Sequence, residues 1–157
     1  NEMVAGASGE LCDIISFDSE GIVLPNGLRL RYPALRRAAH GFEYINDARV
    51  YRKFVEARVM GGDLPELTWT KLYGGKVVEN ITQAVARIVV SEQMTKIGRR
   101  YPVALQVHDE IVCVVDEEEA DECKAFMVDV MSTPPKWAPD LPVTCEADIG
   151  PNYGEAK

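Results

Sequence analysis

His108, Asp109 and Glu110 stand side by side in "VALQVHDEIVCVV", residues 103–115, inside an otherwise apolar run. Burying a carboxylate is costly unless it is paired or holds a cation. Either the chain turns here and the acids reach water, or they hold something. A tight turn in "VHDEIV" carries the Asp109 and Glu110 carboxylates to a sheet edge. Hard cations such as Mg²⁺ take one or two protein carboxylates together with waters and substrate phosphates, and a stiff β-turn holds such a ligand better than a loose loop. Metal-assisted phosphoryl transfer needs carboxylates that keep two ions roughly 3.5–4 Å apart. His108 could hydrogen-bond a phosphate or a sugar. Asp-Glu is also ordinary turn chemistry, and the same six residues could serve a nuclease, a phosphatase or no catalyst.

A second group of candidates precedes the turn, in "GGKVVENITQAVARIVV". Val77, Val78, Ile81, Val85, Ile88 and Val89 recur at helical spacing, and Met94 continues the stripe. They predict a long helix over about 76–97, released by Gly74-Gly75 and ended by Gly98 and Pro102. Asn80, Gln83 and Arg87 share its polar face, with Glu79 four residues before Gln83. Amides and a guanidinium on a rigid surface can donate to purine N3 and pyrimidine O2 in a minor groove. Those acceptors are nearly alike for every base pair, so such contacts check pairing geometry and carry little sequence information. An ordinary solvent-facing stripe would look the same.

The elements that must position these residues read as follows. "GIVLPNGLRLRY" alternates around Pro25-Asn26-Gly27, a hairpin signal, and places Arg29 and Arg31 on one strand face. Residues 42–55 read as a second hairpin turning at Asn46-Asp47. Residues 68–73 read as a short strand, 103–107 and 111–115 as the hairpin around the acidic turn, and 117–131 as a helix with an acidic first turn that suits its dipole. "VTCEADIG", 143–150, reads as a last strand. Residues 1–20 are weakly patterned. Antiparallel hairpins alternating with helices predict an α+β fold, an antiparallel sheet with helices packed on one face and an N-terminal β-hairpin region. The other face of such a sheet is left to water or a ligand.

The bulk numbers fit this picture. The 157 residues are 46% hydrophobic and 27% charged, ordinary for a globular domain with a real core. No run approaches the ~18 apolar residues of a membrane span, and no signal peptide is visible. Cys12, Cys113, Cys123 and Cys145 show no CxxC spacing and read as free thiols. The net charge of −8 argues against nucleic acid if taken alone, but it is unevenly spread. Residues 21–76 hold ten Lys/Arg against five Asp/Glu, whereas residues 108–157 hold three against thirteen. An acidic half beside a basic half could set a metal site next to a polyanion track, although "DEEEADE" also reads as a solvated helix start.

Together, "LQVHDEIV" and "VVENITQAVAR" about 25 residues upstream resemble family A DNA polymerases. The first is similar to the His-Asp-Glu turn between two palm strands, and the second to the helix preceding it. "LPNGLRLRYP" and the tail "ADIGPNYGEA" look most like the phage and prophage branch. The resemblance covers roughly residues 20–157. It implies a palm-type sheet and makes 21–157 the C-terminal palm portion of a polymerase, with 1–20 a separate N-terminal segment. It implies Asp109 as a metal-binding aspartate, Glu110 as its supporting acid, His108 beside the primer terminus and Gln83 as the minor-groove amide. Glu79 stands where bacterial members often carry Asn, so Asn80 is the alternative for that role. Arg29 and Arg31 have no motif match, and their phosphate-contact reading rests on charge.

The family's second metal-binding aspartate, in an Asp-Tyr-Ser-x-Ile-Glu type motif, and its nucleotide-holding fingers helix have no counterpart here. The expectation is therefore a fragment whose remaining polymerase domains lie N-terminal, in keeping with the missing initiator Met. It would use Mg²⁺, primer-template DNA and dNTPs only within its parent, in a bacterial cytoplasm and away from membranes. The rival readings are a non-catalytic prophage-remnant module that binds DNA or protein, and a metal-dependent nuclease.

Overall fold

The structure, a computed structural model, describes residues 8–156. The fold is α+β and divides into two compact units, 1–84 and 85–157. The antiparallel strands fall into three sheets of four, three and two strands.

In the first unit, β1 (Gly9–Cys12), β2 (Ile15–Asp18), β3 (Gly21–Val23) and β4 (Arg29–Leu30) form an antiparallel meander. Its first hairpin lies within the stretch read as weakly patterned. The β2–β3 turn is built by Asp18, whose Oδ1 accepts from the N–H groups of Glu20 at 2.8 Å and Gly21 at 3.1 Å. Gly21 has φ +150°, and a Cβ there would lie 2.3 Å from the Leu30 carbonyl oxygen. Between β3 and β4 the chain turns at Pro25-Asn26-Gly27 as expected. The N–H of Leu24 donates to the Leu28 carbonyl and that of Gly27 to the Leu24 carbonyl, both at 2.8 Å. Ile15, Phe17, Ile22 and Leu24 are buried.

The second sheet joins β5 (Arg36–Ala38), β6 (Gly41–Ile45) and β7 (Trp69–Leu72). Arg36 ion-pairs with Glu43 on the neighbouring strand at 2.5 Å and lies 3.4 Å above the Trp69 ring. Tyr44 meets Tyr32 edge-to-face at 5.1 Å.

The hairpin expected over 42–55 is not formed. After β6 the chain enters a helix, α1 (Ala48–Met60). Asp47 is its N-cap: Oδ1 accepts from the N–H groups of Arg49 at 2.8 Å and Val50 at 3.2 Å. The residue types that suggest a turn also start helices, because the Asp side chain satisfies the orphan donors of a first turn.

Helix α2 (Gly74–Ile97) runs a little longer than predicted. Its stripe is buried at Ile88 and Val89, and Ile97 at the helix end is buried as well, but Val78 is 63% exposed.

In the second unit, β8 (Val103–Val107) and β9 (Glu110–Cys113) pair around the acidic turn. Helix α3 (Ala120–Ser132) follows a 3-10 turn at Glu117–Glu119. The core centres on Ile97, Ile111 and Val130, with Val90, Met94, Val103, Phe126, Met127 and Met131 packed around them. Gln93 is a buried polar side chain, and its Nε2 donates to the Met131 carbonyl at 2.8 Å. The Trp137 indole N–H donates to Glu92 at 3.1 Å. The strand expected over 143–150 is absent: those residues pair with no β-ladder.

Candidate functional site

The turn between β8 and β9 is a two-residue loop. Val107 pairs with Glu110, leaving His108 and Asp109 at the tip. Short hairpin loops need positive φ to match the strand twist, and here His108 supplies it at φ 52°. His is among the non-glycine residues that enter this region more readily. His108, Asp109 and Glu110 are all exposed, so the acids reach water as the first alternative requires.

Their surroundings differ. The Asp109 carboxylate has no hydrogen-bond or ion-pair partner among the described residues. Glu110 accepts from the Tyr153 hydroxyl at 2.5 Å. On the other side of the tip, Gln106 donates its amide N–H to the His108 carbonyl. Gln106 Oε1 in turn accepts from Arg87 Nη1 at 2.5 Å. Arg87 thus spends a donor on the hairpin. Gln106 and Tyr153 join the candidates only here; a lone Gln in an apolar strand is the signal the sequence offers for the first.

The first half of α2 belongs to the other unit. Glu79 is paired with Lys76 at 2.9 Å and accepts from Gln83 Nε2 at 3.4 Å. Gln83 is exposed, and one of its two amide protons is directed at Glu79. Asn80 is half-buried and donates to the Tyr32 hydroxyl at 3.2 Å. Desolvation raises the Tyr32 pKa above its usual 10.0. Asn80 therefore supports the fold around Tyr32.

Arg29 is answered by acids. Its Nε and Nη2 donate to Asp18 Oδ2 at 3.1 and 2.8 Å. Arg31 lies 3.6 Å from Glu20. Both charges sit beside the acidic β2–β3 turn, which weakens the phosphate-contact reading drawn from charge alone.

Among the described residues, no group of three or more His, Cys, Asp and Glu is placed to hold a metal ion. What is present is one open carboxylate beside a tethered one. The four cysteines are free thiols. Among the described residues, no helix is long and apolar enough to cross a membrane.

Comparison with known proteins supports a relationship to DNA polymerases. Over 131 residues it is 32% identical to the DNA polymerase of Bacillus phage SP02, a match covering 80% of this chain and 19% of that protein. The chain thus spans about one-fifth of the length of this curated relative. No family model matches it, and no solved structure matches significantly.

Proposed function

We propose that this chain is the C-terminal palm portion of a family A, phage-type DNA polymerase, and that Asp109 is one of the two aspartates of its metal site. The single observation that carries the reading is the open Asp109 carboxylate at the tip of a two-residue β-turn, in a chain related to a phage DNA polymerase.

In this reading Asp109 and, more weakly, Glu110 hold Mg²⁺, with the second aspartate and the nucleotide-binding helix supplied by other parts of the polymerase. When bound, Mg²⁺ supplies activation of the primer 3′-hydroxyl and neutralisation of the charge developing on the transferred phosphate. The stiff hairpin keeps the Asp109 ligand geometry fixed. In the same reading His108, exposed beside it, contacts the primer terminus. Gln83 offers its remaining amide proton to minor-groove acceptors, a contact that reports base-pair geometry whatever the sequence. Primer-template DNA and dNTPs are the proposed partners.

Primer extension by the complete polymerase carrying Asp109→Asn tests this. The expected result is a rate lower by several orders of magnitude with DNA affinity retained, because a metal ligand acts on the chemical step. Wild-type incorporation by Asp109→Asn overturns the reading, and so does template-directed extension by these 157 residues alone.

A further inference from the structure

The peptide that joins His108 to Asp109 is held from one side by a relay of two hydrogen bonds. Its carbonyl accepts from Gln106 Nε2, and Gln106 Oε1 accepts from Arg87 Nη1. A glutamine amide can lie either way round, but a guanidinium only donates. Arg87 therefore requires Oε1 to face it, which turns Nε2 toward the carbonyl. The reversed amide would set donor against donor and acceptor against acceptor. The held peptide needs such support, since His108 occupies a left-handed conformation that L residues populate sparsely. Fixing the plane of that peptide fixes where the Asp109 side chain leaves the backbone.

We propose that Arg87 and Gln106 are positioning residues that aim the Asp109 carboxylate, with Arg87 acting through Gln106. This rests on the reading of Asp109 as a metal ligand. It gives Arg87 a role different from the groove contact its place on the helix suggests.

The test uses the complete polymerase, with primer extension measured against Mg²⁺ concentration and DNA affinity measured separately by anisotropy at several salt concentrations. Arg87→Met and Gln106→Ala should each raise the half-saturating Mg²⁺ concentration by about 10–100-fold, the usual cost of losing a group that orients a ligand. DNA affinity and its salt dependence should stay at the wild-type level. Arg87→Lys, which keeps one donor, should recover most of the loss. Gln106→Glu keeps an acceptor for Arg87 but loses the donor to the carbonyl, so it should show the defect. The Arg87→Met/Gln106→Ala double variant should be no worse than the poorer single one, since both cut one chain.

An additive double variant overturns the relay, as does a wild-type response from Gln106→Glu. So does an Arg87→Met enzyme whose DNA binding weakens, with a salt slope smaller by about one, while its Mg²⁺ curve is unmoved. Asp109→Asn run alongside separates the two levels. If it is as active as wild type, the metal reading itself falls. If it is inactive while Arg87→Met and Gln106→Ala respond normally to Mg²⁺, the relay alone falls.

Discussion

Tyr153 donates its hydroxyl proton to Glu110 Oε2 at 2.5 Å, tying the C-terminal tail to the first residue of β9. Two adjacent acids are thereby given different circumstances: Glu110 is tethered, whereas Asp109 is open. Tyr153→Phe should loosen the tail with little loss of global stability, about 1 kcal/mol or less for one exposed hydrogen bond. Hydrogen exchange checks this. Amides of residues 152–156 should exchange faster in the variant while those of α3 keep their protection. Unchanged exchange in the tail would show that the tether holds nothing.

Asp18 gives the clearest pH dependence. Its hydrogen bond with the Arg29 guanidinium holds the carboxyl below its usual 3.8, and the N–H groups of Glu20 and Gly21 add to this. A carboxyl whose pKa is lower in the folded state contributes stability above the unfolded value. That contribution is lost as pH falls through the folded one. Asp18→Asn should therefore lower the urea midpoint at neutral pH. The gap from wild type should close as pH drops below 3.8. A gap that does not vary with pH would mean that the charge on Asp18 contributes nothing.

Gly21 has room for no side chain. Its φ of +150° and the Leu30 carbonyl oxygen, 2.3 Å from where a Cβ would sit, act together. Gly21→Ala should destabilise the β-meander by about 1–3 kcal/mol or more, the scale of a strained backbone position. Chemical denaturation measures it. Gly27, also at positive φ (+79°) but with open space where a Cβ would sit, is the control and should cost less as Ala.

The thiols should separate by reactivity. Burial pushes Cys113 up to about 11, and it raises Cys123 and Cys145 as well. Cys12 is exposed. Since the thiolate is the reactive form, iodoacetamide at pH 8 should label Cys12 first. Cys113 and Cys123 should react fully only after denaturation. Peptide mass spectrometry reads the order, and equal rates in the native protein would contradict the packing described.

What could be read from the residues depended on whether local chemistry decides the outcome. The acidic hairpin and α2 were legible because their signals are local: apolar strands around a polar tip, and a helical stripe bounded by Gly and Pro. The α+β class followed from them. The hairpin expected over 42–55 gives way to a helix because Asn46-Asp47 fits a helix cap as well as a turn. Asp47 capping the N–H groups of Arg49 and Val50 settles the choice. Residues 143–150 alternate like a strand, but a strand also needs an edge to pair with, which no local pattern reports. Likewise, the links from Arg87 to Gln106 and from Tyr153 to Glu110 span 19 and 43 residues. They exist only once the hairpin has formed.

The chain has two tryptophans, and they fall one to each compact unit: Trp69 beneath Arg36, and Trp137 bonded to Glu92. This makes the molecule its own pair of optical reporters. With Trp137→Phe, emission follows the unit of residues 1–84. With Trp69→Phe, it follows the unit of residues 85–157. Melting curves of the two single-tryptophan proteins superimpose if the chain unfolds in one cooperative step. If they diverge, each unit has a stability of its own.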